Sequence, residues 1–261
     1  MKNVVFGVYH FLGFHLCNYL LESGQEVAGY DWQAEEDEVE EKRQVFGRNA
    51  NYSYFSDHWE TNEEIQLYIC LYDYFENPSY SSEQLQQLIA HIDCFIKKIQ
   101  KNEMEIIILL PAESQDRLHC ILSEWKLKIE QNNVVRYLYI SELYGPWIPS
   151  YKPIMNILKK DYPVLKANMS KYIYIDDFLR SWEEIIAIQK KEIYVEGKQA
   201  DSWKRDLLVY ADAKELDFSN SVASARKHID IFIEANTSLR EGIELIKEHN
   251  EKLEMHRKWN S

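Results

Sequence analysis

Glycine is scarce in this chain: eight in 261 residues, against eighteen tyrosines. Loops that wrap a ligand normally use glycine where bare backbone must come close, so bulk has taken the place of open backbone here. Positive charge is also short. Thirty Lys and Arg stand against 43 Asp and Glu, a net charge of −13. That leaves no basic footprint for a phosphate backbone and excludes nucleic acid as a general partner. No apolar run is long enough to span a membrane, and the chain opens directly in a strand pattern with no leader, so the expected location is cytoplasmic. Cys17, Cys70, Cys94 and Cys120 lie far apart, without CxxC or zinc spacing. Each falls in an apolar run, which predicts buried free thiols in a reducing compartment. The histidines form no ligand cluster, so no metal is expected. GxSxG, P-loop and Cys/His nucleophile patterns are missing too.

What is present is a well-patterned α/β chain. Hydrophobic residues make up 46% of it, enough for a sizeable core. Strand and helix patterns alternate, which predicts a Rossmann-type, doubly wound parallel sheet. Ile65 to Leu71 and Met104 to Leu110 read as buried strands; Ser82 to Gln100 and Gln115 to Gln131 read as long helices. A turn at Tyr144-Gly145-Pro146-Trp147 marks a change of character. The expected division is a Rossmann-like domain over 1–148, with 172–196 returning to the sheet. Residues 149–171 and 197–261 then form a small substrate-lobe-like region. Ser238 with Glu241 is a capping box that opens the terminal helix.

The first thirty-one residues carry most of the chemistry. Val4-Val5-Phe6-Gly7 is a strand broken at glycine, Phe11 to Leu21 a helix, and Glu26 to Asp31 a second strand ending in a carboxylate. This is the plan of a dinucleotide-binding βαβ unit. Its fingerprint places glycine at the first, fourth and seventh positions, for the tight turn, for backbone beside the pyrophosphate, and for close helix–strand contact. Gly7 and Gly13 fill the outer positions, but the fourth is His10. An imidazole there crowds the place where a cofactor's phosphates approach.

Five segments, in order, resemble the extended short-chain dehydrogenase/reductases, specifically their nucleotide-sugar epimerase/dehydratase branch. They are Gly7…Gly13 with Asp31; Ser56-Asp57; Leu143-Tyr144-Gly145-Pro146; Tyr174-Ile175-Asp176-Asp177; and Thr237 to Ile243. The resemblance implies that Gly7, His10, Gly13, Asp31 and Asp57 surround the cofactor position, with Asp57 facing the adenine. It also implies a catalytic hydroxyl residue after the fifth strand and a Tyr-x-x-x-Lys pair, whose lysine lowers the tyrosine pKa so that it exchanges a proton near neutrality. Ser114 and Lys126 stand as vestiges of that set. The position four before Lys126 is Leu122, which carries no proton, and Ser114 and Lys126 lie too close in sequence for the family's active-site loop. Leu71-Tyr72 replaces small residues beside the cofactor, and Tyr139 replaces an arginine. Tyr162…Lys166, Tyr194…Lys198 and Tyr210…Lys214 repeat the catalytic spacing in the wrong part of the fold.

These departures predict a catalytically silent member of that family. It would bind or scaffold beside enzymes of sugar-nucleotide or secondary metabolism, with no confident catalytic residue. Its cofactor would be none, or weakly held NAD. NADP is disfavoured because the acidic run Glu35 to Glu38, with Glu40 and Glu41, stands where a 2′-phosphate needs an arginine. The alternative is an active NAD-dependent epimerase, dehydratase or reductase with a rearranged site. The expected partners are a second copy, packed through the Ser82–Gln100 helix, or another protein, with neither nucleic acid nor membrane.

Overall fold

The computed structural model describes residues 1–32, 36–56, 63–99, 104–113, 115–159, 169–199, 203, 205, 207 and 228–260. It contains a mostly parallel eight-stranded sheet flanked by helices, as the alternating pattern predicts. The chain divides into two compact units, Met1–Tyr139 with Lys190–Ile193, and Ile140–Gln189 with Tyr194–Ser261.

The first unit runs β1 (Lys2–Phe6), α1 (Phe11–Glu22), β2 (Val27–Tyr30), α2 (Glu36–Phe46), β3 (Tyr52–Tyr54), β4 (Ile65–Cys70), α3 (Tyr72–Glu76), α4 (Ser82–Ile99), β5 (Met104–Pro111), α5 (Gln115–Ile129) and most of β6 (Val134–Ile140). Its strands lie in the order β3-β2-β1-β4-β5-β6, the doubly wound arrangement whose ligand crevice opens where the order reverses, between β1 and β4. All six residues of β4 are buried, as are Ile106 to Pro111 of β5, which is why both read as continuous apolar runs. The register pairs Phe6 with both Tyr30 and Ile69. Gly7, Asp31 and Leu71 therefore leave their three strands close together at the same edge of the sheet.

The amphipathic pattern of α4 is resolved within the chain itself. Leu85, Leu88, Ile89, Ile92, Phe95, Ile96 and Ile99 are all buried, and the outward positions carry Gln86, Gln87, Lys97 and Lys98.

The second unit contains β7 (Leu143–Tyr144), α6 (Pro153–Leu158), a 3-10 turn (Met169–Lys171), β8 (Ile173–Tyr174), α7 (Ile175–Arg180), α8 (Trp182–Ala187), the larger part of β9 (Glu192–Lys198), β10 (Ile231–Glu234) and α9 (Leu239–Asn260). The return of 172–196 to the sheet needs correction. Only β9 joins the large sheet; β8 pairs with β7 in a separate two-stranded sheet. Asp176 and Asp177 start a helix at once, so only Ile173 and Tyr174 remain extended. Edge strand β10 lies beyond the last strand expected from the sequence; of its four residues Phe232 and Glu234 are exposed and only Ile233 is buried.

The motifs of this unit lock onto one another. Asp177, 1% exposed, accepts hydrogen bonds from the Asn236 and Thr237 N–H groups at 3.1 and 2.9 Å, and so ties α7 to the approach of α9. A Cβ on Gly242 would stand 2.5 Å from the Tyr144 ring, which itself packs edge-on to Tyr174 at 5.4 Å. Ser238 Oγ accepts from the Glu241 N–H at 3.2 Å, which is the serine half of the expected capping box. Among the described residues no helix is long and apolar enough to cross a membrane, and no group of three or more His, Cys, Asp or Glu is placed to hold a metal. Cys17 and Cys70 are buried, but Cys94 and Cys120 are exposed, because α4 and α5 turn them outward. The expectation of four buried thiols holds for only two.

Candidate functional site

At the exit of β1, Gly7 turns with φ +83, a conformation glycine adopts without cost. Gly13 lets α1 press against that turn: a Cβ there would fall 2.0 Å from the Gly7 carbonyl oxygen. Both outer glycines of the fingerprint thus serve the backbone. His10 is the N-cap residue of α1 and supplies no side-chain cap.

The hydrogen bonds of the loop are made by the chain itself. The Gly7 N–H and Val8 N–H donate to the Tyr30 carbonyl at 2.8 and 3.3 Å, and the His10 N–H to Gly7 O at 3.1 Å. The Tyr9 N–H donates to Asp31 Oδ2 at 2.6 Å. The Leu12 N–H, at the second helical position, donates to Asp73 Oδ2 at 3.0 Å. Helix N-termini present such groups to phosphates in nucleotide-binding folds. Here a carboxylate of α3, 2% exposed, takes one of them. From α2, the buried Lys42 ammonium donates to Tyr9 O at 2.7 Å.

Asp31 is equally engaged. Its Oδ1 accepts from the Trp32 N–H at 2.7 Å and from the Tyr74 hydroxyl at 3.2 Å, and lies 3.4 Å from His10 Nε2. The Tyr74 hydroxyl also meets Trp32 O at 2.9 Å. Because β1 lies between β4 and β2, a side chain reaching from just past β4 to just past β2 crosses the exit of β1. Tyr74 makes that crossing, its ring 4.1 Å from the His10 ring. Burial holds the Tyr74 pKa well above its ordinary value, so the group there is a neutral phenol.

The electrostatics follow from packing. Burial alone would lower the His10 pKa, but the adjacent Asp31, helped by Asp73 and opposed by Lys42, more than offsets it and holds the value above 6.5. A raised folded-state pKa stabilises the fold fully below the unfolded value, and that contribution is lost as pH rises through the folded one. The expected result is a wild type that loses urea resistance between pH 6 and pH 8.5 by a term missing from His10→Gln. Parallel slopes for the two proteins would rule the His10–Asp31 pair out as its source.

The remaining expected residues do not join this cluster. Asp57 and Ser114 lie outside the described residues. The Lys126 ammonium contacts the Tyr139 hydroxyl, sits 3.6 Å from Glu192, and lies 4.1 Å above the Tyr137 ring. Burial lowers its pKa, with Glu192 opposing. Glu192 is the residue that enters β9, so this ammonium sits by a strand start, whereas Gly7 marks a strand exit. Leu122, four before it, is 1% exposed and packs in the core. Leu71 and Tyr72 are fully buried as well. The group of this segment aimed at α1 is the next one, Asp73, which the sequence reading passed over. A carboxylate directly after two bulky residues, where the fold wants small ones, was the available signal. Lys42 gave none, since a lone lysine on a charged helix reads as solvated.

No protein-family model and no curated protein matches the sequence. Solved structures do. UDP-glucuronic acid 4-epimerase from Bacillus cereus, in complex with NAD, superposes with a TM-score of 0.57 at 14% identity, over 97% of this chain and 99% of that one. Yeast methylglyoxal/isovaleraldehyde reductase, complexed with NADPH, gives 0.60 at 13%, over 97% and 99%. Vestitone reductase from alfalfa gives 0.56 at 12%, over 97% and 98%. The chain shares the fold of these epimerase and reductase structures. At these identities the likeness is one of architecture.

Proposed function

We propose that this chain is a non-catalytic relative of the epimerase/dehydratase enzymes, whose dinucleotide crevice is filled by its own side chains. It works as a binding or scaffolding protein beside sugar-nucleotide or secondary metabolism. The observation that carries the reading is the crossing of Tyr74 to Asp31 over the β1 exit, with Asp73 on the Leu12 N–H. In this fold the β2 carboxylate normally receives the ribose hydroxyls and the helix N-terminus the pyrophosphate. Here both have partners within the chain.

Chemistry supports the same reading. The nucleotide-sugar enzymes exchange a substrate proton through a tyrosinate activated by a lysine. In this chain Lys126 has a tyrosine partner, Tyr139, but that pair is held by Glu192 at a strand start, and Tyr74 at the crevice is a neutral phenol hydrogen-bonded to a carboxylate. Neither is arranged to take a proton from a hydroxyl held at the β1 exit. A protein partner is expected to dock away from α4, whose apolar stripe is covered.

Calorimetric titration tests the proposal. Up to millimolar NAD or NADPH is expected to give no saturable heat, and UDP-glucuronic acid with NAD no turnover. A saturable heat with micromolar affinity for NAD would restore the alternative, an enzyme with a rearranged site.

A further inference from the structure

A pocket of about 390 Å³ lies within the first unit, between the ends of β2 and β3 and the second half of α4. None of its lining residues belongs to the Gly7–Gly13 loop, although Tyr30 and Ser56 adjoin Asp31 and Asp57, the carboxylates expected beside a cofactor. Its walls are planar. The Tyr30 ring lies nearly parallel to His91 and Phe95, at 5.7 and 4.6 Å with interplanar angles of 8° and 18°. Phe55 meets Tyr30 and Phe95 edge-on at 5.8 and 4.9 Å. Tyr54, 51% exposed, forms the outer wall. Aromatic rings recognise other flat rings by offset or edge contacts, so this lining favours a planar ligand.

Charge narrows the class further. The His91 imidazole is fixed by the Tyr30 hydroxyl at 2.7 Å, and burial together with Lys98 lowers its pKa, so it is neutral. Lys98 is then the single charged side chain among the described lining residues, in a chain whose net charge is −13. The volume is small for a binding pocket, toward the lower end of the roughly 300–1,000 Å³ seen for small molecules, and a whole dinucleotide does not fit it. We propose that this pocket binds a planar aromatic carboxylate of one or two rings, its ring against Tyr54 and Tyr30 and its carboxylate at the Lys98 ammonium.

Cys94 lines the pocket and is exposed, which supplies a reporter; Cys120, exposed on α5, supplies the control. With indole-3-carboxylate as probe, alkylation of Cys94 by iodoacetamide, followed by peptide mass spectrometry, is expected to slow at least fivefold while Cys120 reacts unchanged. Lys98→Met is expected to weaken the carboxylate about tenfold, as loss of a charge-assisted hydrogen bond does, and to leave neutral indole unaffected. Tyr54→Ala, at an exposed position that spares the fold, is expected to weaken both probes. Unprotected Cys94, or carboxylate binding indifferent to Lys98→Met, overturns the proposal. So does stronger protection by AMP than by the carboxylate, which would make this a nucleotide pocket.

Discussion

Gly13→Ala is expected to cost about 3 kcal/mol or more, and in the limit to leave no folded protein, because overpacking against backbone has no soft neighbour to absorb it. The added methyl would stand 2.0 Å from the Gly7 carbonyl oxygen and 2.7 Å from its carbon. Relief requires α1 to withdraw from the β1 exit, and Val8, Leu12, Leu16 and Cys17, each fully buried, would lose contacts together. Urea unfolding of wild type and Gly13→Ala checks this. His10→Ala is the internal comparison, expected to cost less, about 1–2 kcal/mol, since it removes the imidazole's contacts with Asp31 and the Tyr74 ring while Asp31 keeps its Tyr9, Trp32 and Tyr74 donors. If Gly13→Ala were as mild as His10→Ala, the division of labour among the three fingerprint positions would be wrong. That division is the physical core of the functional reading. The turn glycine and the packing glycine serve the fold, and both are here. The middle one serves only the ligand's phosphates, and that one is a histidine.

Which features could be read from residues alone follows the same line. Strands β4 and β5 were legible because burial on both faces leaves an unbroken apolar run, and α4 because seven apolar residues repeat at helical spacing. The terminal helix was legible from Ser238 and Glu241, whose cap is local chemistry. Strand β10 was not, since its four residues alternate with solvent and take their place from β9, far away in sequence. The fate of Ile173 and Tyr174 was hidden because an extended dipeptide does not say which sheet it will join. At the site, steric replacement was readable at His10, where one residue occupies a known position. The polar replacement was not. Tyr9 N–H to Asp31, Leu12 N–H to Asp73 and Tyr74 to Asp31 join residues 22, 61 and 43 positions apart, and only the sheet order brings them together. Lys126 shows the converse: the substitution at Tyr139, read as a loss, is what gives the ammonium its partner.

Asp73→Gly is expected to destabilise the protein by about 2 kcal/mol and, in exchange, to create an anion site that the wild type lacks. The α1 helix has no acidic residue in its first turn and no side-chain cap, so Asp73 is the carboxylate that takes its Leu12 N–H and faces its dipole. Removing it leaves the Leu12 N–H in a buried place without its acceptor, the costly half of a broken hydrogen bond. A small anion can then take the vacated position, with His10 charged at mildly acid pH beside it. Pyrophosphate at tenfold above its dissociation constant would return about 1.4 kcal/mol, or roughly 2–4 °C in melting temperature for a chain of this size. Asp73→Asn keeps an oxygen that can accept from Leu12, so it is expected to lose about half as much stability and to respond little to pyrophosphate. The decisive comparison is thermal unfolding of the three proteins at pH 6 with pyrophosphate and with sulfate-free buffer alone. If pyrophosphate raises the melting temperature of wild type as much as that of Asp73→Gly, the carboxylate does not stand in for a phosphate, and the crevice is open. If only the glycine variant responds, the helix N-terminus remains built for an anion, and the chain has supplied that anion from its own sequence.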